Sequence, residues 1–327
     1  MNAFVTGANG RLGNVVVRHL LEEGHTVRAL VAPHHQDLKS LEGLSLDLIE
    51  GDIREISGFE SALEGIDWVF HLAAKIALNP DRDGSMFAIN TEATRKLAEL
   101  CLKKDVGRFV YCSSHHALMM KPYNQPVDEN RALATREGID YHRTKALAEV
   151  EILQMSEKGL DAVIVNPGTL IGPYDFEPSI FAQAMIDFYK GKIPFLMEGL
   201  SDYADVRDVA QAIVQAAKVG KKGERYLLTG WMLEMKDVPG LVQKITGKKM
   251  PRRILPLWVM YALLPFIQLS SKLSGKAPLF TKDMLHASQS NPVISHEKAR
   301  RELGYSPRSL EDTFGDAFAW YKEQGWI

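Results

Sequence analysis

The opening of the chain constrains its fold more than any other stretch. An apolar run, Met1-Asn2-Ala3-Phe4-Val5, turns at once through Thr6-Gly7-Ala8-Asn9-Gly10-Arg11-Leu12-Gly13 and enters a helical pattern from Asn14 to Glu23. Strand, glycine-rich turn and helix start in this order let backbone amides approach a pyrophosphate, with the helix N-terminus facing its negative charge. The pattern predicts a dinucleotide site. A second apolar strand, Thr26 to Val31, follows at the distance expected of a β-α-β unit. A third reads Leu46-Asp47-Leu48-Ile49-Glu50 before Gly51-Asp52-Ile53. This order predicts an α/β fold with a Rossmann-type, doubly wound parallel sheet.

A chain of 327 residues suits such a domain plus a smaller lobe. The expected division is a nucleotide-binding domain over 1–173, with the sheet resuming at about 204–230, and a mainly helical substrate lobe over 174–327. Apolar residues make up 46% and charged residues 24%, with a formal net charge of −2, which gives no reason to expect nucleic acid as a partner. Cys101 and Cys112 are too few for a disulfide framework and lie in apolar patterns, so both read as structural thiols in a reducing cytoplasm. The chain opens directly in its first strand without a secretory leader pattern, which again predicts the cytoplasm. No Cys/His cluster or His-Glu-x-x-His pattern occurs, so no metal is expected.

Chemistry enters with Tyr141-His142-Arg143-Thr144-Lys145 at the head of another helical pattern. Tyrosine and lysine four residues apart share a helix face, where an ammonium can stabilise a phenolate and make the phenol a usable acid or base. Upstream, Arg108-Phe109-Val110-Tyr111-Cys112 reads as a buried strand ending in Ser113-Ser114, at the sheet edge where ligands bind in open α/β folds. His115 and His116 follow directly and are expected to pack in a polar loop, or else to narrow the pocket or contact substrate.

Together these motifs resemble the extended branch of the short-chain dehydrogenase/reductase superfamily, the NAD-dependent epimerase/dehydratase family, and most closely its dihydroflavonol-4-reductase-like and 3β-hydroxysteroid-dehydrogenase-like members. Pro126-Val127-Asp128-Glu129, Asn166 to Pro173, Tyr203 to Ala210 and Ala299 to Tyr305 match in the same order. The resemblance implies a hydride passed between nicotinamide and a substrate carbon. Tyr141 would give a proton to a carbonyl oxygen, Ser114 would hydrogen-bond that oxygen, and Lys145 would bind the nicotinamide ribose and lower the tyrosine pKa. The cofactor would also meet Gly7, Asn9, Gly10, Arg11, Leu12 and Gly13 at its pyrophosphate, Asp52 and Ile53 at its adenine, and Leu72, Ala73 and Ala74 beside the fourth strand. Ser113 would face the cofactor too, with Pro167, Gly168 and Thr169 near the nicotinamide amide.

At the end of strand two an acid would favour NAD and an arginine NADP. The chain has neither, reading Ala32 there, while Arg11, Arg28, His34, His35 and Lys39 leave the region basic. NADP is therefore the expected cofactor, with NAD the alternative. The expected reaction is oxidoreduction of a carbonyl or secondary alcohol on a fairly apolar small molecule, with Leu118-Met119-Met120 adding to an apolar pocket. One alternative is a nucleotide-sugar epimerase or dehydratase that retains NAD, its diphosphate met by Lys248, Lys249, Arg252 and Arg253. Another is a dinucleotide-sensing protein without turnover.

Past Pro173 the pattern predicts a helical insertion from Tyr174 to Leu200, a helix from Asp208 to Lys218, a strand from Glu224 to Gly230 and a final helix from Leu310 to Gln324. The uncharged stretch Ile254 to Leu269 is too short for the ~20 residues of a membrane span and holds two prolines. It is expected to pack in the lobe as helices, or else to offer a surface to a greasy substrate, a peripheral membrane contact or a partner subunit. The 138–158 stretch is expected to pair two copies as a homodimer.

Overall fold

The computed structural model describes residues 1–33, 38–77, 79–274 and 280–327, with the side chains of 268–274 left aside. Its centre is a seven-stranded sheet, every strand parallel to its neighbours. The chain lays down β1 (Asn2–Thr6), α1 (Arg11–Glu22), β2 (Thr26–Val31), β3 (Asp47–Glu50) and β4 (Trp68–His71). A short α2 (Ser85–Phe87) then runs through one π-helical turn (Ala88–Glu92) into α3 (Ala93–Lys103), β5 (Arg108–Cys112), α4 (Asp140–Glu157) and β6 (Ala162–Pro167). Apolar runs bounded by turns form these strands because both faces of a parallel sheet are covered, and β1, β4, β5 and β6 are almost wholly buried.

Next come β7 (Thr169–Ile171), α5 (Ile180–Tyr189), β8 (Leu196–Met197), β9 (Leu200–Asp205), α6 (Val206–Val219), β10 (Arg225–Leu228) and β11 (Trp231–Glu234). The chain closes with α7 (Val238–Thr246), β12 (Ile254–Leu255), α8 (Leu257–Ser274), α9 (Lys282–Ala287), α10 (Glu297–Leu303) and α11 (Leu310–Glu323). Strand order in the main sheet is β10-β6-β5-β4-β1-β2-β3. The order reverses between β1 and β4, and ligands of doubly wound sheets bind at that reversal.

Two cores flank the sheet. One face packs Val15, Val16 and Leu20 of α1 and Val209 and Ile213 of α6; the other packs Leu97 and Cys101 of α3 and Ala148, Ile152 and Met155 of α4. Phe4, Phe109 and Tyr111 are fully buried between them, each worth ~1.5–3 kcal/mol of apolar burial. A third cluster, built from α5, α7 and α11, lies outside the sheet, and a small fourth joins Met260 and Leu264 to Leu285.

Several elements depart from expectation. Between Tyr174 and Leu200 only α5 is helical, because Gly191, Pro194 and the β8 pairing with β12 break the pattern. Of the stretch 204–230, the main sheet takes only β10; β9 joins a separate three-stranded sheet with β7 and β11. Helix α8 buries Met260 and Leu264, four residues apart, yet Trp258 is 72% and Phe266 70% exposed on its other side. Its packing in this region is thus one-sided, and Gln268 and Leu269 of the same apolar stretch lie outside the described side chains. No helix among the described residues is long and apolar enough to cross a membrane.

Candidate active site

The glycine turn meets the loop after β4. Gly7 has φ +66, and a Cβ there would stand 2.9 Å from the Ala73 backbone, so only glycine allows both the left-handed turn and this approach. At Gly13 a Cβ would fall 2.0 Å from the Gly7 carbonyl oxygen, which presses α1 onto the turn. Helix α1 starts with no side-chain cap and no acid in its first turn. The positive end of its dipole is left for an anion, and the closely packed cradle fits a dinucleotide pyrophosphate. Thr6 fixes the two loops together: its Oγ1 accepts from the amides of Leu72 (3.2 Å) and Ala73 (3.1 Å). Thr94 donates to the Asn90 carbonyl and therefore accepts from His71 Nε2, which leaves His71 Nδ1 to accept from the Thr6 hydroxyl. Burial lowers the His71 pKa to about 3, so the chain of bonds stays neutral.

The basic region foreseen for a 2′-phosphate is largely occupied. Arg11 donates to the Leu170 carbonyl (2.8 Å) and Ser179 Oγ (3.1 Å) and lies 3.6 Å from Asp175. Arg28 donates to the carbonyls of Ala62 and Glu64. His34 and His35 lie outside the described residues. Asp52 sits beyond β3, clamped by Arg54, whose hydrogen bond is the main cause of its lowered pKa; Ile53 beside it packs on the core.

Helix α4 carries Tyr141, Lys145 and Glu149 on one face. Lys145 is 2% exposed and donates from Nζ to the Cys112 carbonyl at 2.6 Å, 4.6 Å from the Tyr111 ring centre. Burial lowers its pKa to about 8. The Ser114 hydroxyl lies near enough to Tyr141 to draw the phenol pKa down, but burial outweighs it and the pKa stands raised. The Lys145 ammonium, expected from sequence to lower that pKa, is held here at the Cys112 carbonyl. Ser114 Oγ accepts from the His116 amide at 3.2 Å, which leaves its own proton to donate. Ser113 is buried, its hydroxyl lacking a protein partner.

A buried network beneath these residues was not foreseen. Asn166 donates to the Ser114 carbonyl at 2.9 Å and to Glu149 Oε1 at 2.5 Å. Arg225 donates to Glu149 Oε2 at 2.7 Å and to the Glu129 carbonyl at 2.9 Å. Asn90, in the π-helical turn, receives the Lys75 amide and donates to the Lys75 carbonyl and Thr144, tying α4 to the loop of Leu72, Ala73 and Ala74. His115 is buried rather than set in an open polar loop. Its Nδ1 donates to the Pro167 carbonyl at 3.0 Å, and burial lowers its pKa to about 4.

Beside Pro167, Gly168 leaves room for Asp202, whose Oδ1 lies 1.9 Å from where a Cβ would be; Thr169 begins β7. Asp202 is 1% exposed and accepts from the Gly230 amide, yet burial raises its pKa from 3.8 to about 7. The native state therefore keeps a proton that the unfolded chain releases, and stability is lost as pH rises from about 4 through about 7. Thermal unfolding across that window should show a falling Tm in the native protein and a flatter profile in Asp202→Asn; parallel profiles would refute the assignment.

The arrangement of phenol, hydroxyl and ammonium at the sheet reversal can pass a proton to and from a substrate oxygen beside a bound dinucleotide. This defines a dinucleotide-dependent enzyme of the extended short-chain dehydrogenase/reductase type. The chain belongs to the NAD dependent epimerase/dehydratase family, whose model matches residues 3–228. It is 32% identical to the sterol demethylase protein B of Methylococcus capsulatus over the full length of both chains. It is 31% identical to a Synechocystis protein provisionally named dihydroflavonol 4-reductase, covering 99% of this chain and 95% of that one. Among solved structures, that of gox2253 superposes with a TM-score of 0.87 at 34% identity, covering 99% of each chain.

Proposed function

We propose that the protein is an NAD(P)-dependent oxidoreductase acting on a carbonyl or secondary alcohol of a fairly apolar small molecule. The observation that carries this reading is the grouping of Tyr141, Ser114 and Lys145 at the end of β5 and the head of α4, beside a cavity lined by Leu118, Met119, Met120 and Ile139. The two full-length relatives, a sterol demethylase protein and a protein named for dihydroflavonol reduction, support it by the greasy, ringed compounds in their names.

In the reduction direction the substrate oxygen accepts hydrogen bonds from Tyr141 and Ser114, and Tyr141 gives up its proton as charge gathers there. The raised phenol pKa keeps that proton in place until then. Lys145 spends one of its three N–H bonds on the Cys112 carbonyl and would hold the nicotinamide ribose with the others. The glycine turn from Gly7 to Gly13, including Asn9, Arg11 and Leu12, holds the dinucleotide with Asp52, Ile53, Leu72, Ala73, Ala74, Ser113, Pro167, Gly168 and Thr169. Arg11 contributes through its backbone; its Nη1 is engaged by Leu170 and Ser179, while Nε and Nη2 have no protein partner. The nicotinamide, when bound, supplies or accepts the hydride. The missing acid at Ala32 still favours NADP, although Arg11 and Arg28 no longer argue for it. The part beyond Pro173 forms the substrate lobe.

The intact Ser114, Tyr141 and Lys145 weigh against a sensor without turnover. A nucleotide-sugar epimerase or dehydratase is the second reading, favoured by the family's own name. Releasing and identifying the nicotinamide carried by the purified protein separates the two: an exchangeable site preferring NADPH is expected, and tightly retained NAD would overturn the reductase reading in favour of the second. The same proposal places the protein in the cytoplasm, where its buried, unpaired Cys101 and Cys112 stay reduced. It also includes a homodimer through the 138–158 stretch and a peripheral membrane contact through the exposed face of α8. A monomer mass in light scattering would remove the first, and failure to sediment with vesicles the second.

A further inference from the structure

Three histidines, the adjacent His115 and His116 and His142 of α4, converge beside Tyr141. The rings of His116 and His142 stack 4.3 Å apart with 6° between their planes, and the His115 ring lies 3.9 Å from that of His116. His142 is 6% exposed. Its Nε2 and the Nδ1 of His116 are closed off from the cavity without a hydrogen-bond partner, so contact with an occupant falls to the opposite ring nitrogens, His142 Nδ1 and His116 Nε2. Both residues line a cavity of about 150 Å³. A cavity of that size admits one benzene-sized group. Its apolar walls are Leu118, Met119, Met120 and Ile139, and Lys121, Glu137 and His286 complete its polar rim.

Burial lowers the His142 pKa to about 3 and that of His116 well below its ordinary value. Both imidazoles are thus neutral, each with one nitrogen that donates and one that accepts. A hydroxyl, which does both, can satisfy either tautomer. A carboxylate or phosphate would require protonating a buried ring, at the cost that lowered those pKa values.

We propose that this cavity is the specificity pocket for the far end of the substrate, and that it takes a neutral hydroxyl carried on a ring-sized apolar body, hydrogen-bonded by His142 with His116 stacked behind it. The inference rests on the carbonyl reading only for placing the ketone end at Tyr141 and Ser114. His142 and His116 are specificity residues here and take no part in proton transfer to the ketone.

The test uses the full-length protein loaded with NADP⁺ and a pair of ketones, para-hydroxybenzylacetone and benzylacetone, which differ only in one hydroxyl. Calorimetry should show the hydroxylated ketone bound about tenfold more tightly. His142→Phe keeps the ring stack and removes the nitrogens, and should bring the two affinities to within about threefold; His116→Phe serves as the second variant should the first not fold. Equal binding of the two ketones by the native protein, no measurable binding of either, or a preference that survives both substitutions would overturn the proposal. So would tighter binding of para-carboxybenzylacetone, which would assign the cavity to Lys121. A hydroxyl preference without turnover of either ketone upholds the pocket and removes the reductase reading.

Discussion

Replacing Tyr141 by Phe should lower turnover of any ketone the protein reduces by ~100-fold or more, the contribution expected of a positioned general acid, while leaving dinucleotide affinity within about twofold. The phenol pKa is raised by burial, so the proton is present at neutral pH. Lys145 is no substitute, being bonded to the Cys112 carbonyl. Steady-state rates with a fluorescence titration of the cofactor measure both quantities. Unchanged turnover would remove Tyr141 from the mechanism; lost cofactor binding would make its role structural.

Truncating Glu149 to Ala should destabilise the fold by about 3–5 kcal/mol, the cost of leaving a buried charge without its partner. Arg225 has a side-chain exposure of 13% and Glu149 of 0%, so water cannot take the place of the lost carboxylate. Glu149 also receives the Asn166 amide that holds the Ser114 carbonyl, so the surviving folded fraction should lose turnover as well. Denaturant unfolding of the variant, alongside Glu149→Gln, which retains one acceptor for Asn166, separates charge from hydrogen bonding. A loss below about 1 kcal/mol in the Ala variant would mean that Arg225 finds its compensation elsewhere.

The chemistry of this site was legible where it is local. Thr26–Val31 and Arg108–Cys112 are strands at the expected residues because a buried parallel strand is an apolar run between turns. The glycine turn and the Tyr141–Lys145 spacing are likewise fixed by neighbours in sequence. What could not be read are pairings between distant positions: Glu149 with Arg225, 76 residues apart, and Arg11 with Leu170, 159 apart. A basic residue shows its charge in a sequence and not its partner: Arg28 meets the carbonyls of Ala62 and Glu64, and Arg11 meets Leu170 and Ser179 through one of its nitrogens. His142 offered no signal beyond its place beside Tyr141; only the fold stacks it on His116.

The hydrophobic clusters flanking the sheet are separate from those around α5, α7 and α11 and beneath α8. Substitutions that reshape the outer clusters therefore need no compensating change beneath the phenol and the ammonium. Descent can alter what such a chain accepts while its proton chemistry is inherited whole, and a family can carry reductases and epimerases under one architecture.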